Sequence, residues 1–221
     1  KTCIVAGCFG KIGAAVLATK AALYSGSGLT YILAPKCGYE ILQTTCPEAM
    51  YLYGGEDFIK NFSVENDFTY GIGPGLGTDY ETEEKLMHFL KNYNEPLVLD
   101  ADALNLISKN SENLNLIPKN SIITPHPKEF SRLFGESKDS FERLELAKSK
   151  AKELNIYIVL KGHHTQIITP EGNVFYNITG NSGLAKGGSG DVLLGIITSF
   201  LAQGYSPETA AIFGVWLHGK A

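Results

Sequence analysis

Apolar, β-rich runs alternate with helical stretches along the chain. Thr2-Cys3-Ile4-Val5-Ala6 predicts a first strand. It is followed by the loop Gly7 to Gly10 and an Ala-rich helix from Ile12 to Tyr24, apolar on most sides and so expected to be buried. Further strands are predicted at Leu29 to Leu33, Phe68 to Ile72, Pro96 to Asp100, Ser121 to Thr124 and Tyr157 to Leu160. Gln166 to Thr169 and Val174 to Asn177, separated by Pro170-Glu171-Gly172, read as a hairpin. Helices are predicted at Thr82 to Asn92, Ala103 to Ser108, Ser140 to Leu154, Val192 to Gln203 and Pro207 to His218. The pattern from Ala34 to Asn66 specifies no element. Strands alternating with helices predict an α/β fold, with helices on both faces of a mostly parallel sheet. No repeat or linker divides residues 1–221, which are read as a single domain. In such sheets ligands bind beyond the carboxyl ends of the strands. Gly73 to Gly77, Asp100, His126 and Lys161 all sit at those ends and are expected along one edge.

Composition narrows the partners. The 44% hydrophobic and 19% charged fractions are those of an ordinary globular chain. The formal net charge of -4 gives no electrostatic reason to expect nucleic acid. No apolar run approaches the length of a membrane span, and no signal peptide is visible. Cys3, Cys8, Cys37 and Cys46 form no C-x-x-C pair and are read as reduced thiols of a cytoplasmic protein. The chain opens at Lys1 on an apolar run and stops at Ala221 within a helical pattern. Both ends therefore look trimmed, leaving room for an upstream domain or targeting segment.

The strongest constellation is Asn181-Ser182-Gly183-Leu184-Ala185-Lys186-Gly187-Gly188-Ser189-Gly190-Asp191, which leads directly into an apolar helix. Glycines let the backbone turn sharply and approach a ligand. Free N–H groups at a helix start suit a phosphate. A carboxylate at Asp191 would be placed to accept a proton from a substrate hydroxyl; the plainer reading makes Asp191 a helix N-cap. Lys186 precedes the glycines, so this is not a Walker A loop. Gly73 to Gly77 and Gly7 to Gly13 lack the spacing of the dinucleotide fingerprint, which argues against a nicotinamide-dependent oxidoreductase.

Other strand ends carry open alternatives. Lys161, followed by Gly162, is either a solvated strand-end charge or a phosphate contact. His163 and His164 are expected to face opposite ways along a strand, which argues against a shared metal. Glu129 reads as a first-turn helix acid. Asp102 reads as the N-cap before Ala103, with Asp100 kept as a candidate site residue.

Asn181 to Asp191 resembles the G-x-G-D anion-hole motif of the ribokinase-like superfamily. More closely, it resembles the nucleotide-dependent NAD(P)H-hydrate dehydratases. Gly10-Lys11-Ile12-Gly13-Ala14-Ala15-Val16-Leu17, Gly73-Pro74-Gly75-Leu76-Gly77, Leu99-Asp100-Ala101-Asp102-Ala103-Leu104-Asn105, Thr124-Pro125-His126-Pro127-Lys128-Glu129-Phe130 and Leu160-Lys161-Gly162 support that narrower match in chain order. The resemblance covers nearly the whole chain.

The resemblance implies a three-layer α/β/α sandwich and a repair enzyme acting on the hydrate of NADH or NADPH. The implied route phosphorylates the hydrate hydroxyl and then expels phosphate, using ADP or ATP with Mg²⁺. By resemblance, Asp191 is the base, and the N–H groups of Gly188, Ser189 and Gly190 hold the transferring phosphoryl group. Lys161, Gly162, His163, His164, Thr165 and Gly190 would take the nucleotide, while Ala15, Gly75, His126 and Asp191 would take the hydrate. Glu129 would hold magnesium through water. Cys8 stands where the family usually has Ser, and the two histidines stand where it has small residues. A homotetramer and a fused upstream epimerase domain are further implications. Two rivals are a thiazole- or pyrimidine-alcohol kinase of the same superfamily, and a nucleotide-binding regulator without turnover.

Overall fold

The computed structural model describes residues 1–221. Nine strands form one sheet in the order β3-β2-β1-β4-β5-β6-β7-β8-β9. The strands are β1 (Thr2–Val5), β2 (Thr30–Ala34), β3 (Met50–Tyr53), β4 (Thr69–Ile72), β5 (Val98–Leu99), β6 (Ile122–Ile123), β7 (Tyr157–Leu160), β8 (Gln166–Ile168) and β9 (Val174–Tyr176). Strands β1 to β7 pair in parallel, and β8 and β9 add an antiparallel hairpin at one edge. Eight α-helices cover the two faces: α1 (Ile12–Tyr24), α2 (Tyr39–Thr45), α3 (Tyr80–Asn92), α4 (Ala101–Ile107), α5 (Pro127–Phe134), α6 (Ser140–Leu154), α7 (Ser189–Ala202) and α8 (Pro207–Lys220).

Connectivity decides which face each helix covers. From β1 the chain steps one way to β2 and β3, then returns to β4 on the other side of β1 and steps outward to β7. Right-handed crossovers taken in opposite directions place their helices on opposite faces. All four residues of β1 are buried, as expected of a strand covered on both sides. Cys3 and Val5 join a core with Phe89, Leu104 and Phe130 from α3, α4 and α5. Ile4 and Ala6 join a second core with Ala15 and Ala18 of α1 and Leu193, Leu194 and Ile197 of α7.

Helix α7 sits deep against the sheet because two glycines clear its path. A methyl built on Gly71 of β4 would lie 2.3 Å from Thr198 Oγ1, and one on Gly195 would lie 2.2 Å from the Ala18 carbonyl. We expect Gly195→Ala to push α7 away from α1 at a cost of about 1–3 kcal/mol, as overpacking does. The melting temperature should then fall by about 2–4 °C per kcal/mol, read by calorimetry.

Several elements differ from those the pattern predicts. The runs at 96–100 and 121–124 shorten to two-residue strands, and the segment 34–66 holds α2 and the edge strand β3. Helix α7 starts at Ser189, three residues earlier than expected, and a further helix, α5, begins at Pro127. No helix is long and apolar enough to cross a membrane.

Candidate active site

A cleft of about 820 Å³ opens where the carboxyl ends of β6 and β7 meet the amino end of α7. Gly188 is the N-cap of α7, with φ +90°, a backbone conformation that favours glycine. A methyl there would also lie 2.4 Å from Leu17 of α1. Asp191 is therefore a first-turn residue, and the N-cap reading for it is overturned. The backbone N–H groups of Gly188, Gly190 and Asp191 find no acceptor within the chain, and that of Ser189 makes only a 3.4 Å bond to the Lys186 carbonyl. Such donors at the positive end of a helix form a preorganised site for an anion.

Behind this turn lies a buried charge cluster. Asp100, 1% exposed, leaves the end of β5 and accepts a 2.7 Å bond from Lys161 Nζ. The same ammonium lies 3.8 Å from Glu129 Oε2. A methyl built on Gly190 would touch both Asp100 Oδ2 and Lys161 Nζ at 3.3 Å, so the pair sits directly beside the glycine turn. Asp191, half-buried, has its carboxyl pushed up to about 6. Burial is the main cause; the Asp100 carboxylate adds to it, and Lys161 opposes it. A carboxylate with that value is ionised at neutral pH yet basic enough to take a proton. Lys161 is thus a partly buried ion-pair partner of the buried Asp100 next to the anion site, and not a solvated strand-end charge.

His126 is the N-cap of α5. Its Nδ1 accepts from the backbone N–H of Lys128 at 3.1 Å and of Glu129 at 3.3 Å, while Glu129 Oε2 accepts from His126 N at 2.8 Å. This reciprocal capping box explains why the chain turns into a helix at Pro127. It also leaves the imidazole proton on Nε2, 3.4 Å from Glu129 Oε1. His126 lines the cleft. Glu129 is 5% exposed, with both oxygens facing protein groups. No group of three metal-binding side chains forms. The residues present do not form a direct protein cage for magnesium; Glu129 caps α5 and balances Lys161, and its expected contact with the ion runs through water.

The remaining expected residues divide. Lys161, Gly162, His163, Thr165, Ser189 and Gly190 line the cleft. His164 does not. The two histidines lie in the bend after β7, not on a strand; their rings meet edge to face and their Nδ1 atoms lie 3.3 Å apart, so they do not face opposite ways. Ala15 is fully buried, its methyl packed near Gly7, and offers no side chain to a ligand. Gly75 has φ +60° and lies against the Lys11 carbonyl, which brings the β4 loop onto the start of α1. Asp102 is not an N-cap: α4 already begins at Ala101, and Asp102 Oδ2 accepts from Gly77 N and Lys11 Nζ, both at 3.0 Å. It ties the Gly73–Gly77 loop to the loop after β1. Cys8 Sγ points to the Phe9 carbonyl at 3.6 Å. His218, which sequence reasoning missed, lines the cleft from the last turn of α8 and meets Ser189.

The sequence profile of the NAD(P)H-hydrate dehydratases matches residues 2–221. The chain belongs to this family. It is 39% identical over 227 residues to an ADP-dependent (S)-NAD(P)H-hydrate dehydratase of Neisseria meningitidis, covering 99% of this chain and 74% of that protein. Among solved structures, the Bacillus subtilis ADP/ATP-dependent NAD(P)H-hydrate dehydratase co-crystallised with ATP/Mg²⁺ superposes with TM-score 0.83 and 33% identity, over 99% of this chain and 78% of that one. A ribokinase-like superfamily protein of Enterococcus faecalis superposes with TM-score 0.81 and 29% identity, over 99% and 77%. The ribokinase-like sandwich expected for this dehydratase family member is the observed fold. The chain spans less than half the length of its bifunctional relatives: 44% of the NAD(P)H-hydrate repair enzyme of Thermofilum pendens, at 34% identity over 234 residues.

Proposed function

We propose that this chain removes water from the hydrate of NADH or NADPH by phosphorylating its hydroxyl at the expense of ADP or ATP. The observation that carries the reading is Asp191: a half-buried carboxyl with its pKa at about 6, in the first turn of a helix whose leading N–H groups are free. The hydroxyl oxygen attacks the terminal phosphorus of the nucleotide and its proton passes to Asp191, while the bond from that phosphorus to the bridging oxygen breaks and AMP leaves from ADP, or ADP from ATP. The free N–H groups stabilise the charge on the equatorial oxygens of the transferring group, as preorganised donors do. The ring nitrogen then donates its lone pair into the ring, the carbon–oxygen bond breaks, and phosphate leaves. Loss of a proton from the neighbouring carbon restores the ring double bond. Magnesium, carried with the nucleotide phosphates, would add charge neutralisation.

Lys161, Gly162, His163, Thr165 and Gly190 are the proposed nucleotide contacts, because they line the cleft beside the anion turn. Gly75, His126 and Asp191 are proposed for the hydrate, which would approach from the side of the β4 loop. Cytoplasmic location, tetrameric assembly and an upstream epimerase domain belong to this proposal through family membership. So does the reading of residues 1–221 as one domain.

The direct test mixes the protein with NADH hydrate, magnesium and either ADP or ATP. Recovery of reduced nicotinamide absorbance is expected with at least one nucleotide. No recovery with either defeats the reading, and accumulation of a phosphorylated alcohol instead makes the chain a kinase. The titration of Asp191 gives a second check. Below pH 6 the carboxyl is protonated and cannot accept the hydroxyl proton, so kcat/KM should fall about tenfold per pH unit on that limb. A flat acid limb down to pH 5 would remove Asp191 as the base.

A further inference from the structure

His218 lies half-buried in the last turn of α8, and its Nε2 makes two contacts with one residue. It is 2.9 Å from the Ser189 carbonyl oxygen and 3.0 Å from Ser189 Oγ. A carbonyl oxygen can only accept, so Nε2 carries the proton and donates. The same N–H is shared with Oγ, which accepts from it. An Oγ that accepts from the imidazole keeps its own hydrogen for another acceptor. Ser189 is the first residue of α7, and both it and His218 line the cleft.

We propose that His218 is a positioning residue that turns the Ser189 hydroxyl into a further donor to the anion held at the start of α7. The inference deepens the function proposed above and rests on it. The chemical class recognised is a phosphoryl group or free phosphate. A neutral imidazole suits the task. Burial, opposed by the bond to the Ser189 carbonyl and aided by the nearby Lys161 charge, holds the His218 pKa below the ordinary imidazole value. The helix start therefore gains a fixed hydroxyl donor, oriented by a neutral imidazole, without a second full charge beside Lys161. The contact also explains how a side chain 29 residues further on reaches the anion turn. Helices α7 and α8 pack on one another, so the end of α8 returns to the start of α7.

Four variants test it: His218→Leu, which removes the donor; His218→Gln, which keeps an N–H donor; Ser189→Ala; and the combination Ser189→Ala/His218→Leu. Inorganic phosphate is titrated into each by NMR, and turnover of the hydrate is measured in parallel. A hydrogen bond to a charged group is worth about tenfold or more in affinity. His218→Leu and Ser189→Ala should each weaken phosphate binding about tenfold and lower kcat similarly. The combined variant should be no worse than the weaker single one, because both remove the same donor. His218→Gln should recover most of the loss. The imidazole nitrogen shifts of the wild-type protein should report a proton on Nε2.

Phosphate affinity unchanged in Ser189→Ala, additive losses in the combined variant, or a proton on Nδ1 would each overturn the proposal. If His218→Leu fails to fold, Ser189→Ala and the nitrogen shifts decide by themselves. The phosphate titration needs no turnover, so failure of the dehydratase reading and failure of this inference give different results.

Discussion

Asp191→Asn is expected to abolish most turnover while making the protein more stable at neutral pH. Asparagine keeps the shape of the side chain but cannot accept a proton, so kcat should fall by about 10²–10⁴-fold, the usual contribution of a positioned general base. The gain in stability follows from the raised pKa of the carboxyl. The carboxyl titrates at about 6 in the folded chain, against 3.8 for an ordinary aspartate. Above pH 6 it is ionised in both states, and folding bears the whole cost of burying a charge, with Asp100 beside it adding to that cost. That cost fades as pH falls from about 6 toward 4, where the folded state takes up the proton first. Removing the charge should therefore stabilise the protein above pH 6 by about 1–2 kcal/mol, once the solvent-facing part of the carboxyl is discounted. The advantage should vanish near pH 4. Turnover and urea unfolding measured on one preparation at both pH values check the two halves. Near-normal turnover in the folded variant would leave Asp191 as a helix residue only.

Lys161→Met should be among the most damaging single changes for stability. Its ammonium is the hydrogen-bonded counter-ion of Asp100 and lies close to Glu129. Deleting one partner of a buried pair leaves an uncompensated charge, which typically costs about 3–5 kcal/mol. For a chain of this size the melting temperature should drop by roughly 2–4 °C per kcal/mol. Adding Asp100→Asn to Lys161→Met should restore most of the stability, because the stranded carboxylate is gone. It should not restore turnover if the ammonium serves the phosphates. Lys161 also holds the Asp191 pKa down, so any residual activity of Lys161→Met should show its acid limb at higher pH. Full stability in the single variant would show that water reaches Asp100 and compensates it.

The fold was legible where burial imposed a simple pattern. Strand β1 is buried throughout and helix α1 packs its Ala-rich face between the sheet and α7, so their apolar runs stand out. The edge strand β3, Met50–Tyr53, is half-exposed, and its four apolar and aromatic residues are too short a run, without alternation, to separate strand from helix. The boundaries at Asp100 and Gly188 misled for one reason: the backbone there does what side-chain capping rules do not anticipate. Ala101 opens α4 with φ +50°, and a glycine caps α7. Within the site, Asp191 and the glycine turn were readable because they are contiguous. The Lys161–Asp100 pair joins positions 61 residues apart, and the Ser189–His218 pair joins positions 29 apart. Only the crossing of strands and the return of α8 bring these together. His163 and His164 failed because alternation holds on a strand, and they lie in the bend after it.

The place of α7 in the sandwich has a consequence for synthesis on the ribosome. Helix α1 packs more extensively on α7 than on any other helix, yet residues 25–188 separate them. A nascent chain can assemble β1 to β7 while the apolar flank of α1, including Ala18, and the sheet face at Gly71 still lack their cover. Until α7 emerges, that flank is open to chaperones or to another unfinished chain. Emergence of α7 closes the flank and brings the Gly188 turn to the strand ends in one event. Partly made chains should therefore be both sticky and inactive, and the burial that ends the first condition also ends the second.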